Sequence, residues 1–114
     1  MDDLELSRSL IEALEAKKAE DIVLLDVRGQ CMFADYFIIS TGTSDRMLGA
    51  LAEGVREAGG EKRHARGKTE GRPRGGWILV DFGSVIVHLF SPDRREYYAL
   101  EELWHEGKVV LRVQ

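Results

Sequence analysis

Residues 76–91, GWILVDFGSVIVHLFS, form the most apolar passage of the chain, with Asp81 and His88 set inside it. Val, Ile, Leu and Phe bracket Gly83-Ser84, the pattern of two short strands joined by a tight hairpin. A two-residue turn sets Phe82 opposite Val85, Val80 opposite Val87 and Ile78 opposite Leu89. Strand periodicity then gives those six residues one uniformly apolar face. The other face carries Trp77, Leu79, Asp81, Ile86, His88 and Phe90. A sheet with one wet side should be polar there, yet this face is mostly apolar. Either it receives a partner, or the later segment REYYALEELW folds over it. Large aromatics ringed by a few polar groups are the composition of a binding hot spot, and both readings hold if part is covered and the rim is open.

The length of 114 residues suits one domain with one core. At 44% hydrophobic and 32% charged the chain is an ordinary globular mixture. No apolar run approaches the ~20 residues of a membrane span. The start, MDDLELSRSL, lacks the basic and apolar regions of a secretory signal. Cys31 is the single cysteine, so neither a disulfide framework nor a thiolate metal cluster is available. These features predict a cytoplasmic protein. The net charge of −4 is uneven: residues 61–76, EKRHARGKTEGRPRGG, hold six Lys/Arg against Glu61 and Glu70, a net +4 that leaves −8 elsewhere. Such a segment is either a solvated loop or a patch for phosphate or an acidic partner.

Leu6, Leu10, Ile11 and Leu14 predict a helix over residues 3–19, capped by Asp2 or Asp3, with Lys17 and Lys18 suited to its C-terminal end. DIVLLDV (21–27) and YFIIST (36–41) read as strands. Met47, Leu48, Leu51, Ala52 and Val55 predict a second helix from Ser44 or Asp45 to Ala58, stopped by Gly59-Gly60. A weak edge strand is expected near Lys62–Arg66, then a Gly-rich loop. Ser91-Pro92-Asp93 is a helix start. Helical structure follows around Asp93–Tyr98 and Leu100–Trp104, ending at Gly107. The tail KVVLRVQ has the alternation of a further edge strand. The expected architecture is a mixed sheet with helices packed on one face.

STGTSDR (40–46), between a strand and a helix, has the form of an anion-binding loop. In nucleotidyltransferases such a loop works with carboxylates two apart on one strand, which hold two metal ions. Here Asp81 has Leu79 and Gly83 at that spacing, and Asp26 has Leu24 and Arg28. Without a same-face carboxylate pair, Ser44 or Asp45 capping the second helix is the better account of the loop. His64, His88 and His105 match no metal-ligand spacing. Nothing activates Cys31 as a nucleophile. The residues therefore point away from an enzyme and from a metal or cofactor, with a residual nucleotide-binding or nucleotidyltransferase site on STGTSDR and Asp81 as the alternative.

The stretches DIVLLDVRG, ADYFIISTGTSDR, GWILVDFGSVIVHLFSP and REYYALEELW, in this order, resemble the ribosomal silencing factor family, also called Iojap-like. The resemblance spans about 21–104 of a single domain over 1–114, with 105–114 as a C-terminal tail. It implies a nucleotidyltransferase-like α+β fold that has lost its catalytic carboxylates. It implies binding to the large ribosomal subunit at ribosomal protein L-fourteen, which blocks association with the small subunit and represses translation without a cofactor. The partner-binding residues expected are Trp77, Leu79, Asp81, His88 and Phe90, joined by Arg95 and Tyr98. A minor contact of segment 61–76 with ribosomal RNA, and a homodimer away from the ribosome, are further expectations; no membrane is involved.

Overall fold

The computed structural model describes residues 3–63, 67–103 and 108–113. The elements run α1 (Asp3–Ala16), β1 (Glu20–Asp26), β2 (Tyr36–Thr41), α2 (Asp45–Arg63) and β3 (Lys68–Arg72). A 3-10 turn (Pro73–Gly75) leads to β4 (Trp77–Asp81), β5 (Val85–Phe90), α3 (Pro92–Tyr98), α4 (Leu100–Leu103) and β6 (Lys108–Val113). The strands form one six-stranded sheet in the order β3-β4-β5-β2-β1-β6. Only β2 and β5 pair in parallel; the other neighbours are antiparallel. This is the α+β fold with a mixed sheet that the sequence predicts.

The hairpin forms as expected, with Ile78 opposite Leu89 and Val80 opposite Val87. Phe82 N–H donates to Val85 O (2.9 Å), and Gly83 carries φ +95°, a conformation that favours glycine in a two-residue turn. The six-residue apolar face packs under α1 and α2. Leu6, Leu10, Ile11 and Leu14 of α1 and Leu48, Leu51 and Val55 of α2 are buried against Ile78, Val80, Val87 and Leu89. Each fully buried Leu or Ile here removes enough apolar surface to contribute roughly 1.5–3 kcal/mol.

Three boundaries differ from expectation. Helix α1 ends at Ala16 rather than at residue 19: the chain turns at Lys17-Lys18, with Lys18 at φ 66°, to enter β1 at Glu20. Helix α2 passes through Gly59-Gly60 and continues to Arg63. Gly59 is there for close approach: a Cβ would collide with the Phe82 ring, which packs against the same core. The edge strand lies at Lys68–Arg72, not at Lys62–Arg66; Lys62 and Arg63 are helical, and 64–66 lie outside the described residues. Every residue of KTEGR is exposed, so no apolar alternation marked that strand. The tail supplies edge strand β6, paired with β1.

Ser91 caps α3 through a bond from Arg94 N–H, with Pro92 in the first turn. Ala99, at φ 45°, ends α3 and separates it from α4. The expected helix end at Trp104–Gly107 lies outside the described residues. The expectation of helices on one face describes α1 and α2. The short pair α3–α4 turns instead onto the opposite face at one end, where Leu100 packs against the second apolar cluster.

Candidate functional site

The register arranges the second face in three rows. Leu25, Phe37, Ile86 and Asp81 lie at the hairpin-turn end; Val23, Ile39, His88 and Leu79 form the middle; Thr41, Phe90 and Trp77 lie at the far end. Val27, Cys31 and Ala34 of the β1–β2 connection close over part of this face, and Leu100 over another. Strands β2 and β5 sit centrally and are buried throughout. On its outer side strand β4 has only the exposed β3, so Trp77 and Leu79 are partly buried rather than enclosed. The face is therefore part core and part surface.

The open part is aromatic. The Trp77 ring stacks on Phe90 at 5.1 Å between centroids and meets Tyr98 of α3 at 4.5 Å. Phe90 is fully buried, whereas Tyr98 is 41% exposed and its neighbour Tyr97 74%. Tyr97 meets Tyr98 edge-on at 5.1 Å. The sequence signal for Tyr97 was its place in REYYALEELW, where one of two adjacent tyrosines must face outward on a short helix.

His88 lies beneath this patch, 5% exposed. Trp77 Nε1–H donates to His88 Nδ1 (3.3 Å), while the imidazole meets Phe37 edge-on at 4.7 Å. Burial lowers the His88 pKa to about 4, so the ring is neutral at neutral pH. Acceptance at Nδ1 puts its one proton on Nε2, which is buried and has no hydrogen-bond partner among the described residues.

Arg95 is also buried. Its Nη1 donates to Thr41 Oγ1 (2.9 Å) and to the carbonyl of Asp21; Nε and Nη2 grip the two Glu101 carboxylate oxygens at 3.2 and 3.0 Å. The guanidinium is thereby committed to joining α3 and α4 to the ends of β1 and β2. It positions Tyr98 rather than projecting outward. No local pattern could reveal this, because Asp21 and Thr41 lie 74 and 54 residues away in sequence.

Asp81 has a local task as well. Its Oδ1 accepts from Gly83 N–H (2.7 Å), stabilising the hairpin turn. The other half of the nucleotide-site alternative is at the opposite end of the sheet, since Thr41 aligns with Phe90 and Trp77. Four residues along β4 separate the two ends by about 13 Å. Asp81 lines a cleft with Arg56, Lys68 and Thr69 that none of residues 42–46 lines. Within the loop, Ser44 Oγ accepts from Met47 N–H (3.0 Å) as the helix cap, and Gly42 N–H donates to Phe90 O (2.9 Å). The structure does not bring the loop and the carboxylate together.

The basic segment contributes Arg72 opposite Trp77 across the β3–β4 pair, with Lys68 opposite Asp81 and Arg74 on the adjoining turn. All three are exposed; Arg72 and Arg74 lie beside the aromatic patch, Lys68 lies at the hairpin-turn end, and the exposed Glu70 stands between Lys68 and Arg72, opposite Leu79.

The family described as "Ribosomal silencing factor during starvation" matches residues 1–114. A ribosomal silencing factor of Bacillus subtilis is 42% identical over 95 residues, covering 83% of this chain and 80% of that protein. A mouse protein named "Mitochondrial assembly of ribosomal large subunit protein 1" is 36% identical over 101 residues, 83% of this chain and 43% of its own. Among solved structures, a crystal structure of a Chromobacterium violaceum protein superposes with a TM-score of 0.87 at 39% identity, covering 92% of this chain and 88% of that one.

Proposed function

We propose, from the premise that this chain belongs to the ribosomal silencing factor family, that it binds the large ribosomal subunit at ribosomal protein L-fourteen. Occupying that surface keeps the small subunit from joining and represses translation in the cytoplasm. The mechanism is steric: it needs a surface that docks and a body that obstructs, and no bond is made or broken. The name of the mouse relative, which refers to the large subunit, supports the choice of subunit.

The observation that carries the reading is the half-open cluster of Trp77, Leu79 and Tyr98 on a face whose remainder is core. An indole and a phenol packed at 4.5 Å between centroids on rigid elements lose little entropy on docking. Trp77, Leu79 and Tyr98 make the contact. Phe90 and His88 support the indole from beneath, Arg95 holds α3, and Asp81 sets the turn at the rim. Lys68, Arg72 and Arg74 lie at the edge and steer association.

Co-sedimentation with purified large and small subunits tests this. The protein travels with the large subunit alone, and Trp77→Ala weakens binding about 30-fold or more while leaving the fold intact. Co-sedimentation with neither subunit, or with the small one, would contradict the proposal. Loss of the fold in Trp77→Ala would mean that the indole belongs to the core instead.

A further inference from the structure

We infer that His88 is a positioning residue for Trp77: its neutral imidazole is the internal acceptor that fixes the indole in the orientation the docking face requires. This rests on the proposal that Trp77 meets the partner, and names the device that makes it competent to do so.

A central strand position buried to 5% exposure is ordinarily best filled by an aliphatic side chain. Its neighbours along β5, Val87 and Leu89, are of that kind. An imidazole here is unfavourable for stability alone, because among the described residues its Nε2–H has no partner although it is buried. The side-chain hydrogen bond it does make goes to the partly buried indole. The ring itself is tightly held, edge-on to Phe37 and parallel within 9° to Phe90.

The chemistry explains the choice of residue. While Trp77 is half-exposed, water can accept from its N–H. When a partner seals the face, that water is lost, and an indole without an internal acceptor would become a buried orphan donor. A carboxylate in this place would accept, at a large desolvation cost. A hydroxyl on Ser or Thr would not fill the space. Neutral imidazole fills it, accepts through Nδ1 and carries no charge. The groups facing it from the packed elements are Phe37 and Ile39 of β2, Trp77 and Leu79 of β4, and Ile86 and Phe90 of β5. None of these is a competing donor apart from Trp77.

The test compares His88→Leu, which keeps bulk and removes the acceptor, with His88→Asn, whose Oδ1 can take the place of Nδ1. Both are made in a Trp104→Phe background so that Trp77 is the single indole. In the free protein, the Trp77 Nε1–H nuclear magnetic resonance reports the hydrogen bond. In binding assays with purified large subunits, His88→Leu loses about tenfold or more in affinity, and His88→Asn recovers most of it. The indole N–H of His88→Leu shifts and exchanges faster with solvent, whereas that of His88→Asn resembles the parent.

An indole resonance unaltered in His88→Leu overturns the inference. So does an altered resonance with unchanged affinity while Trp77→Ala still loses binding. Wild-type binding by Trp77→Ala overturns the face itself, and with it the claim that positioning serves docking. Thermal unfolding of each variant separates an affinity loss from a folding loss, since the Asn variant recovers binding only if the acceptor is what matters.

Discussion

Burial of His88 couples the stability of the domain to pH. The imidazole pKa is lowered from 6.5 to about 4 by desolvation, so between those values the unfolded chain binds a proton that the folded chain refuses. Stability therefore rises with pH through this window. The contribution is fully present above about pH 6.5 and is lost progressively as pH falls towards 4, about 3 kcal/mol in all at about 1.4 kcal/mol per unit. Urea midpoints measured at about pH 7 and about pH 4.5 check this against His88→Leu, whose loss on acidification should be the smaller by about 2.5 kcal/mol, the part of the window that this range covers. An equal loss in both proteins would mean that His88 is protonated in the folded state.

At this scale the sequence disclosed identities more readily than roles. Trp77, Leu79 and Tyr98 stood out as large apolar groups on an outward face or a short helix. Asp81 stood out because an acid in an apolar strand is conspicuous, but its bond to Gly83 N–H, which gives it a task within the hairpin turn, did not. Phe90 and His88 share a strand face with the exposed residues and are buried. Strand periodicity distinguishes two faces; it does not say which part of a face another segment will cover.

At the scale of elements, α3–α4 is the piece whose placement decides how much of the second face is open. Seven and four residues long, these helices have little intrinsic stability. Arg95 supplies what propensity does not, joining Glu101, Thr41 and the Asp21 carbonyl in one buried knot. Arg95→Ala leaves Glu101 without its cation and should destabilise the domain by about 3 kcal/mol, by analogy with other broken buried pairs. Arg95→Lys should recover little, since an ammonium cannot reproduce the fork of donors. Chemical denaturation reads both, and partial retention of stability with lost large-subunit binding would place the effect on Tyr98. If Arg95→Ala is as stable as wild type, the knot does not hold α3.

The elements that could be read from sequence are those with a hydrophobic period: the hairpin, the α1 and α2 stripes, β2, and the capped start of α3. Two of the misplaced boundaries, the end of α2 and the edge strand, are set by contacts with other elements. Gly59-Gly60 reads locally as a helix stop, but one glycine is demanded by a ring from another element, and the helix runs on. Strand β3 is specified by pairing with β4 and carries no apolar residue to announce itself.

As a whole the described molecule spans 32 × 32 × 24 Å, a body too thick to lie between surfaces that must come into contact. The proposed docking face is apolar at the centre and carries Lys68, Arg72 and Arg74 with Glu70 at the β3 edge, and the proposal gives the two parts different tasks. Rim charges act mainly on association rate. Replacing Lys68, Arg72 and Arg74 together by neutral residues should slow association several-fold and leave dissociation nearly unchanged. Over ~50 to ~200 mM salt, a set of 6–10 phosphate contacts would lose ~10³-fold or more in affinity. The expected loss is far smaller, because the contact centres on Trp77 and a protein surface. A loss of that size, removed by the three substitutions, would mean that ribosomal RNA at the β3 edge supplies most of the affinity.

The most direct measurement is subunit joining itself, followed by light scattering after large subunits preincubated with this protein are mixed with small subunits. The account predicts that wild-type protein at saturating concentration suppresses the joining signal, and that Trp77→Ala, folded but unable to dock, restores it. Joining that proceeds normally with the large subunits demonstrably occupied would contradict it: the protein would then bind the ribosome without standing between its halves.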